Sequence, residues 1–142
     1  MIQCELCRPE EIPVCTFVVT LSRYQDGWLF SRHQARDTWE TQGGHIEPGE
    51  TPLEAATREL YEESGGVPAS MTPLCGYWAA RQGTERRYGM LYLAEIDHLD
   101  PLPPSEIAEV RWFETLPGEL TYPAITPHLF AYAEQYRREH CP

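Results

Sequence analysis

The segment from Gly44 to Gly65, GHIEPGETPLEAATRELYEESG, carries six carboxylates and a single arginine. Three of the acids, Glu59, Glu62 and Glu63, are spaced i, i+3 and i+4. On a helix they are neighbours, and each like-charge pair costs a few tenths of a kcal/mol. Glu62 and Glu63 also fall in what would be the last helical turn, where the helix dipole favours cations. Stability alone would put lysine or arginine there. Hard divalent cations such as Mg²⁺ or Mn²⁺ take clustered oxygen ligands and cancel such repulsion, so the pattern points to metal-assisted chemistry. Arg58, four residues after Glu54 and four before Glu62, is the internal counter-charge.

The elements that must position these acids can be read locally. Thr51 followed by Glu54 is a capping box, and Pro52 suits the first helical position because its missing N–H has no intrahelical partner to lose. Ser64-Gly65-Gly66 supplies a glycine stop, which predicts a helix of about 13 residues from Pro52, with Leu53, Ala56 and Leu60 as its apolar stripe. Upstream, Val14 to Tyr24 reads as a strand, Gln25-Asp26-Gly27 as a hairpin turn, and Trp28 to Arg32 as the returning strand. Downstream, Thr72 to Arg81 and Arg87 to Ile96 form a second hairpin about Gln82-Gly83-Thr84. In its second arm Tyr88, Met90, Tyr92 and Ala94 alternate against Leu91 and Leu93. Residues 97–104, with three prolines and two aspartates, read as loop. Val110 to Phe113 is a short strand, and Thr126 to Glu139 carries Leu129, Ala133 and Tyr136 at helical spacing, with Arg137 and Arg138 at the C-terminal end.

From Gly44 the spacing is five residues, Glu50, seven residues, then Arg58-Glu59-Leu60-Tyr61-Glu62-Glu63-Ser64-Gly65. This arrangement resembles the Nudix box of the Nudix hydrolases. Two departures are visible. Gly66, followed by Val67, stands where the family has a bulky aliphatic residue, and Gln42-Gly43-Gly44 stands where proline-glycine-glycine is common. The order of strands and helices is similar to the Nudix α/β/α sandwich, an α/β fold with a mixed sheet and helices on both faces. The resemblance implies hydrolysis of a nucleoside diphosphate linked to another group, by water attacking phosphorus with Mg²⁺ or Mn²⁺ as cofactor. A pyrophosphate meets so acidic a site only through metal ions that bridge carboxylates and phosphate oxygens.

Carried over by position, the resemblance makes Glu59, Glu62 and Glu63 metal ligands, with the main-chain carbonyl of Gly43 as a further one. One of the helix carboxylates would orient or deprotonate the attacking water. Arg58 would hold the carboxylates in place with Glu50 behind it, whereas capping and loop anchoring account for Glu54 and Glu50 without chemistry. Arg32, His33 and Arg36 lie between the second strand and the box, open either to substrate phosphates or to solvent. Arg81, Arg86 and Arg87 at the second hairpin are further candidates for substrate contact. Either Glu106 or Glu109 could supply an additional acid. Trp28, Trp39, Trp78, Tyr88 and Trp112 can stack on a base; core packing is the default, with Trp39 and Trp78 the better exceptions.

The remaining composition sets bounds. A chain of 142 residues is one domain's worth, so residues 1–142 are expected to share one core. Twenty-two acids against eleven basic residues, all arginine, give a net charge of −11, which argues for a small-molecule nucleotide partner and against a nucleic acid polymer. The five cysteines, Cys4, Cys7, Cys15, Cys75 and Cys141, are expected to be free thiols in a reducing cytoplasm, with no membrane-spanning run. A zinc site on Cys4 and Cys7 would have to recruit His140 and Cys141. The assembly state stays open, a homodimer included. The leading reading is a MutT-like nucleoside triphosphate diphosphohydrolase releasing nucleoside monophosphate and pyrophosphate. The alternatives are an ADP-sugar or dinucleoside polyphosphate pyrophosphatase, and a non-catalytic nucleotide-sensing module.

Overall fold

The computed structural model describes residues 1–140, so the suggestion that Cys141 completes a zinc site lies outside the described residues. The strands are β1 (Ile2–Cys7), β2 (Cys15–Tyr24), β3 (Gly27–His33), β4 (Gln42–His45), β5 (Gly66–Arg81), β6 (Arg87–Leu99) and β7 (Ile107–Phe113). The helices are α1 (Pro52–Ser64) and α2 (Thr126–His140), and a single 3-10 turn covers Pro9–Glu11. The strands form one mixed sheet in the order β1-β5-β6-β2-β3-β7, with β4 paired to the first half of β2. The central pair, β2 and β6, is parallel, and its neighbours are antiparallel.

Central strands covered on both faces read as nearly continuous apolar runs, and β2 and β6 do so. Alternation sorts their side chains. Val18, Met90 and Tyr92 meet Ala55 and Ala56 of α1, and Leu29, Ala94 and Ile96 meet Leu60. Leu21, Trp28, Phe30, Leu91 and Leu93 face the other way onto Leu129, Phe130 and Ala133 of α2. The two helices therefore cover opposite faces, as expected of an α/β/α sandwich.

Helix α1 has the bounds its signals predict. Thr51 Oγ1 accepts from the Glu54 N–H at 3.1 Å, and Glu54 Oε1 accepts from the Thr51 N–H at 2.9 Å. Gly65 closes the helix at φ +74°, in the left-handed region that favours glycine. Its buried stripe differs from the expected one: Leu53 is 47 % exposed, and Ala55, Ala56, Leu60 and Ser64 face the sheet.

Other boundaries also move. The hairpin between β2 and β3 turns on Gln25 and Asp26, both at positive φ (47° and 61°), while Gly27 already pairs with Tyr24. Gly27 is needed for a different reason, since any Cβ there would collide with the Trp112 ring. Strand β5 begins at Gly66, six residues before the expected start, because Pro68 and Pro73 are absorbed at irregularities in its pairing with β6. Strand β6 correspondingly runs to Leu99, so the loop starts at Asp100 rather than at residue 97.

Candidate active site

The last turns of α1 lie against the backbone of β4, and two glycines allow the approach. Glu63 Oε1 accepts a hydrogen bond from the Gly43 N–H at 2.8 Å. The Glu59 carboxylate rests over Gly44, where a Cβ would stand 2.6 Å from the carboxyl carbon. In a strand the N–H and C=O of one residue point to the same side, so the Gly43 carbonyl also faces away from β2.

Arg58 organises the neighbouring acids. It forms a two-pronged pair with Glu50, Nε to Oε2 at 2.7 Å and Nη2 to Oε1 at 2.9 Å. It also donates to the His45 carbonyl at 3.2 Å and to Glu59 Oε1 at 2.7 Å, and its Nη1 lies 3.4 Å from Glu62 Oε2. These bonds, joined by the Glu47 N–H, hold the Glu50 carboxyl down to about 2, and they raise the Arg58 guanidinium further above its ordinary value. Glu50 thus anchors Arg58 through a two-pronged pair.

Glu63 has no such partner. Burial pushes its carboxyl up to about 8; the Gly43 N–H opposes the shift, and the nearby Glu59, Glu40 and Glu62 add to it. Burial also raises Glu59, against the pull of Arg58, and raises Glu40, against Arg36 and His33. Of the four acids Glu40, Glu59, Glu62 and Glu63, the Arg58 guanidinium hydrogen-bonds Glu59 and Glu62. Among the described residues, no three His, Cys, Asp or Glu side chains converge into a closed metal cage. Glu59 and Glu62 turn to Arg58 and Glu63 turns to Gly43, as mutually repelling carboxylates do when donors stand nearby. The donor set is nevertheless of the hard-oxygen kind that Mg²⁺ and Mn²⁺ take, and a cation beside Glu63 would remove the penalty that holds its proton on.

A pH dependence follows. The folded Glu63 carboxyl titrates at about 8 against an ordinary 4.5, so the native state binds its proton more tightly than the unfolded chain does. Its contribution to stability is complete below about 4.5 and is lost as pH rises toward about 8. Thermal melts in chelator between pH 5 and pH 8 should show a steeper loss in the parent than in Glu63→Gln, where only Glu59 and Glu40 remain raised, and saturating Mg²⁺ should flatten the parent's loss. Equal slopes in parent and variant would refute it.

A cleft of about 520 Å³ opens over this floor and is walled by His33, Arg36, Glu40, Arg87 and Glu106. A second cleft of about 740 Å³, with Arg81, Arg86 and Tyr88, adjoins it, and the two share Ala79, Arg87, Tyr122 and Ile125. These four residues border both, and the groove over the carboxylate floor is the smaller of the two.

The groove takes up some of the expected residues and not others. Arg36 reaches it, with Nη1 at 3.3 Å from Glu40 Oε2. Arg32 does not: its register partner on β7 is Glu109, its Nη2 lies 3.3 Å from that carboxylate, and its Nη1 donates to the Arg36 carbonyl. Glu106 lines the groove, 3.0 Å from His33 Nε2, whereas Glu109 sits between Arg32 and Arg111 and is held low by them. Trp39 is not available for stacking, because it is buried edge-on to Phe113 at 5.0 Å with the Arg111 guanidinium over its ring. Trp78 is buried too, beneath Arg86 at 4.0 Å. Trp28 is core, and Trp112 is tied to the Tyr24 carbonyl at 2.8 Å. Glu40 and Tyr122 went unnoticed in the sequence.

A profile of the NUDIX domain matches residues 12–122. The chain belongs to the Nudix family. Curated relatives of this Nudix chain include an RNA pyrophosphohydrolase from Brucella anthropi, 46 % identical over 80 residues, covering 49 % of this chain and 46 % of that one. Another, from Francisella philomiragia, is 44 % identical over 48 residues, covering 34 % and 30 %. The matches thus span less than half the length of these relatives. Among solved structures, a Bacillus subtilis pyrophosphohydrolase superposes at TM-score 0.78 with 23 % identity, covering 95 % of this chain and 90 % of that one. The NUDIX domain of Shewanella oneidensis NrtR, solved with ADP ribose, superposes at 0.68 with 17 % identity, covering 90 % and 92 %. At such identities the likeness establishes the Nudix fold. Among the described residues of this Nudix protein, no helix is long and apolar enough to cross a membrane.

Proposed function

We propose that the protein is a divalent-metal-dependent hydrolase of the phosphoric anhydride bond in a nucleotide 5′-polyphosphate. The observation that carries this reading is the Glu63 carboxyl, buried against the Gly43 N–H among Glu59, Glu40 and Glu62 at the floor of a groove whose walls hold Arg36 and Arg87. Nudix hydrolases generally use divalent metal ions. Glu59, Glu62, Glu63 and the Gly43 carbonyl would hold the ion, which when bound neutralises phosphate charge and makes water a stronger nucleophile. Arg58 keeps Glu59 and Glu62 aimed at the site. A helix carboxylate beside the water would take its proton as the new P–O bond forms and the bond from that phosphorus to the bridging oxygen breaks, the oxygen leaving with the departing phosphate. Arg36 and Arg87 meet the phosphate oxygens as planar forks.

The leading substrate is a nucleoside triphosphate, cut between the first and second phosphates to release monophosphate and pyrophosphate. A second reading is the 5′-triphosphate end of RNA, favoured by the names of the curated relatives and by the three arginines, Arg81, Arg86 and Arg87, of the adjoining lobe. A net charge of −11 does not preclude it, because recognition of a strand end depends on the local field of the groove. Comparing ATP with a 5′-triphosphorylated tetranucleotide decides between them. A preference for the tetranucleotide that Arg81→Ala and Arg86→Ala erase would select RNA, and no preference would select the free nucleotide.

In either case Arg36→Ala should lower kcat/KM by more than about tenfold, equivalent to 1.4 kcal/mol, whereas Arg32→Ala, engaged with Glu109, should change it by less than about threefold. Steady-state kinetics on the two variants checks this. Equal losses would return Arg32 to the substrate site.

A further inference from the structure

We propose that Gln42 is a positioning residue for the Glu63 carboxylate, an inference that rests on the metal site proposed above. Gln42 is fully buried, and its amide is the centre of a polar seam running through an otherwise apolar interface beneath α1. Ser22 Oγ donates to Gln42 Oε1 at 2.5 Å, and Gln42 Nε2 donates to Ser31 Oγ at 2.9 Å and to the Leu29 carbonyl at 3.3 Å. Ser31 Oγ in turn donates to the main-chain carbonyl of Glu63 at 2.8 Å, one of the last-turn carbonyls that lack an intrahelical partner. The next residue after Gln42, Gly43, donates its N–H to the Glu63 carboxylate at 2.8 Å.

These bonds close a ring. From the Gln42 amide the path runs through Ser31 to the Glu63 carbonyl, along Glu63 to its carboxylate, and back through the Gly43 N–H to the Gln42 backbone. Glu63 is therefore held at its main chain by Ser31 of β3, which Gln42 orients, and at its carboxylate by Gly43, the residue after Gln42 on β4. Donor and acceptor roles around the ring are mutually consistent, so the Gln42 amide is held in one orientation by partners on β2 and β3. An apolar side chain of similar volume would fill the same space without desolvating an amide. What glutamine adds is direction: it fixes the helix end against β4, and with it the direction of Glu63, the one carboxylate among the three proposed ligands on α1 that Arg58 does not hold. Partners that orient a ligand in this way commonly account for 10–100-fold in metal affinity or activity.

The test compares Gln42→Leu, Gln42→Glu and Ser31→Ala with the parent. Gln42→Leu keeps the volume, Gln42→Glu keeps the acceptor for Ser22 but loses the donor to Ser31, and Ser31→Ala removes the link alone. In folded variants, Mn²⁺ affinity without nucleotide, read by electron paramagnetic resonance, should fall at least about tenfold in all three. With substrate, kcat should fall by a similar factor while KM moves less than about threefold. Hydrogen exchange at the Gly43 amide should quicken by about tenfold as its acceptor loosens. Folded variants with parental Mn²⁺ affinity and parental Gly43 exchange would overturn the proposal. Should Gln42→Leu fail to fold, Ser31→Ala decides it by the same two readings. If the parent itself binds no Mn²⁺, the metal site is what fails, and Gly43 exchange alone then decides the role of Gln42.

Discussion

Glu63→Gln is expected to lower turnover at least about a hundredfold while the metal-free variant melts at the parental temperature or above it. The two effects have one cause. Glutamine keeps an oxygen for the Gly43 N–H, so the seam beneath α1 stays satisfied. It removes a carboxyl that burial and neighbouring acids push up to about 8, and so ends a conflict in the apo protein. The same change deletes a charged oxygen of the proposed metal site, and losing a group that neutralises transition-state charge costs on the order of 3 kcal/mol, about a hundredfold in rate. Circular dichroism melts in chelator and single-turnover rates with Mg²⁺ check both halves. A variant that unfolds without metal would assign Glu63 a structural role, and full activity would remove it from the site.

Arg58→Ala is expected to act in the opposite way, through stability first. Its guanidinium is the shared partner of Glu50, Glu59 and Glu62 and of the His45 carbonyl, and it is only 23 % exposed at the side chain. Breaking a fully buried pair leaves an uncompensated charge worth 3–5 kcal/mol, and partial exposure reduces this to about 2 kcal/mol here. For a chain of this size that corresponds to a fall in Tm of about 5–10 °C. Lysine should recover little of it, because it cannot reproduce the two-pronged contact with Glu50. Unlike the parent, whose Glu50 is held down to about 2, the variant should show Glu50 titrating higher, with only the Glu47 N–H still holding it below the ordinary carboxylate range. Thermal melts give the first result and carbon-detected NMR titration the second. A shift in Tm of less than about 1 °C would show that the arginine network is solvated ornament rather than scaffold.

The sequence disclosed what depends on local rules. Thr51, Glu54, Pro52 and Gly65 specify α1 by capping and backbone conformation, which need no tertiary partner, and the helix has those bounds. The alternation of Leu91 and Leu93 against Met90, Tyr92 and Ala94 is likewise a local statement about two faces, and each set meets a different helix. Strand β4 was hidden because Gly43 and Gly44 have low strand propensity. Its reason to exist is the close approach of Glu59 and Glu63, which only the assembled fold reveals. Strand β1 was overlooked although Ile2, Cys4 and Leu6 alternate with Gln3 and Glu5. The groove residues divide for the same reason. Arg32 and Arg36 look equivalent in sequence, and it is the β3–β7 register, pairing Arg32 with Glu109, that separates them. Trp39 lies next to Glu40, yet one side chain enters the core and the other faces the groove, a difference of one step along extended chain.

The most direct test of the metal-hydrolase reading is ³¹P NMR of ATP and a 5′-triphosphorylated tetranucleotide, followed with the parent protein in Mg²⁺ and again after excess chelator. The account predicts that at least one substrate loses its anhydride resonances in Mg²⁺, with a 5′-monophosphate appearing, and that chelator halts the reaction at once. Hydrolysis that continues unchanged in chelator, or intact substrates after prolonged incubation with both Mg²⁺ and Mn²⁺, would contradict it.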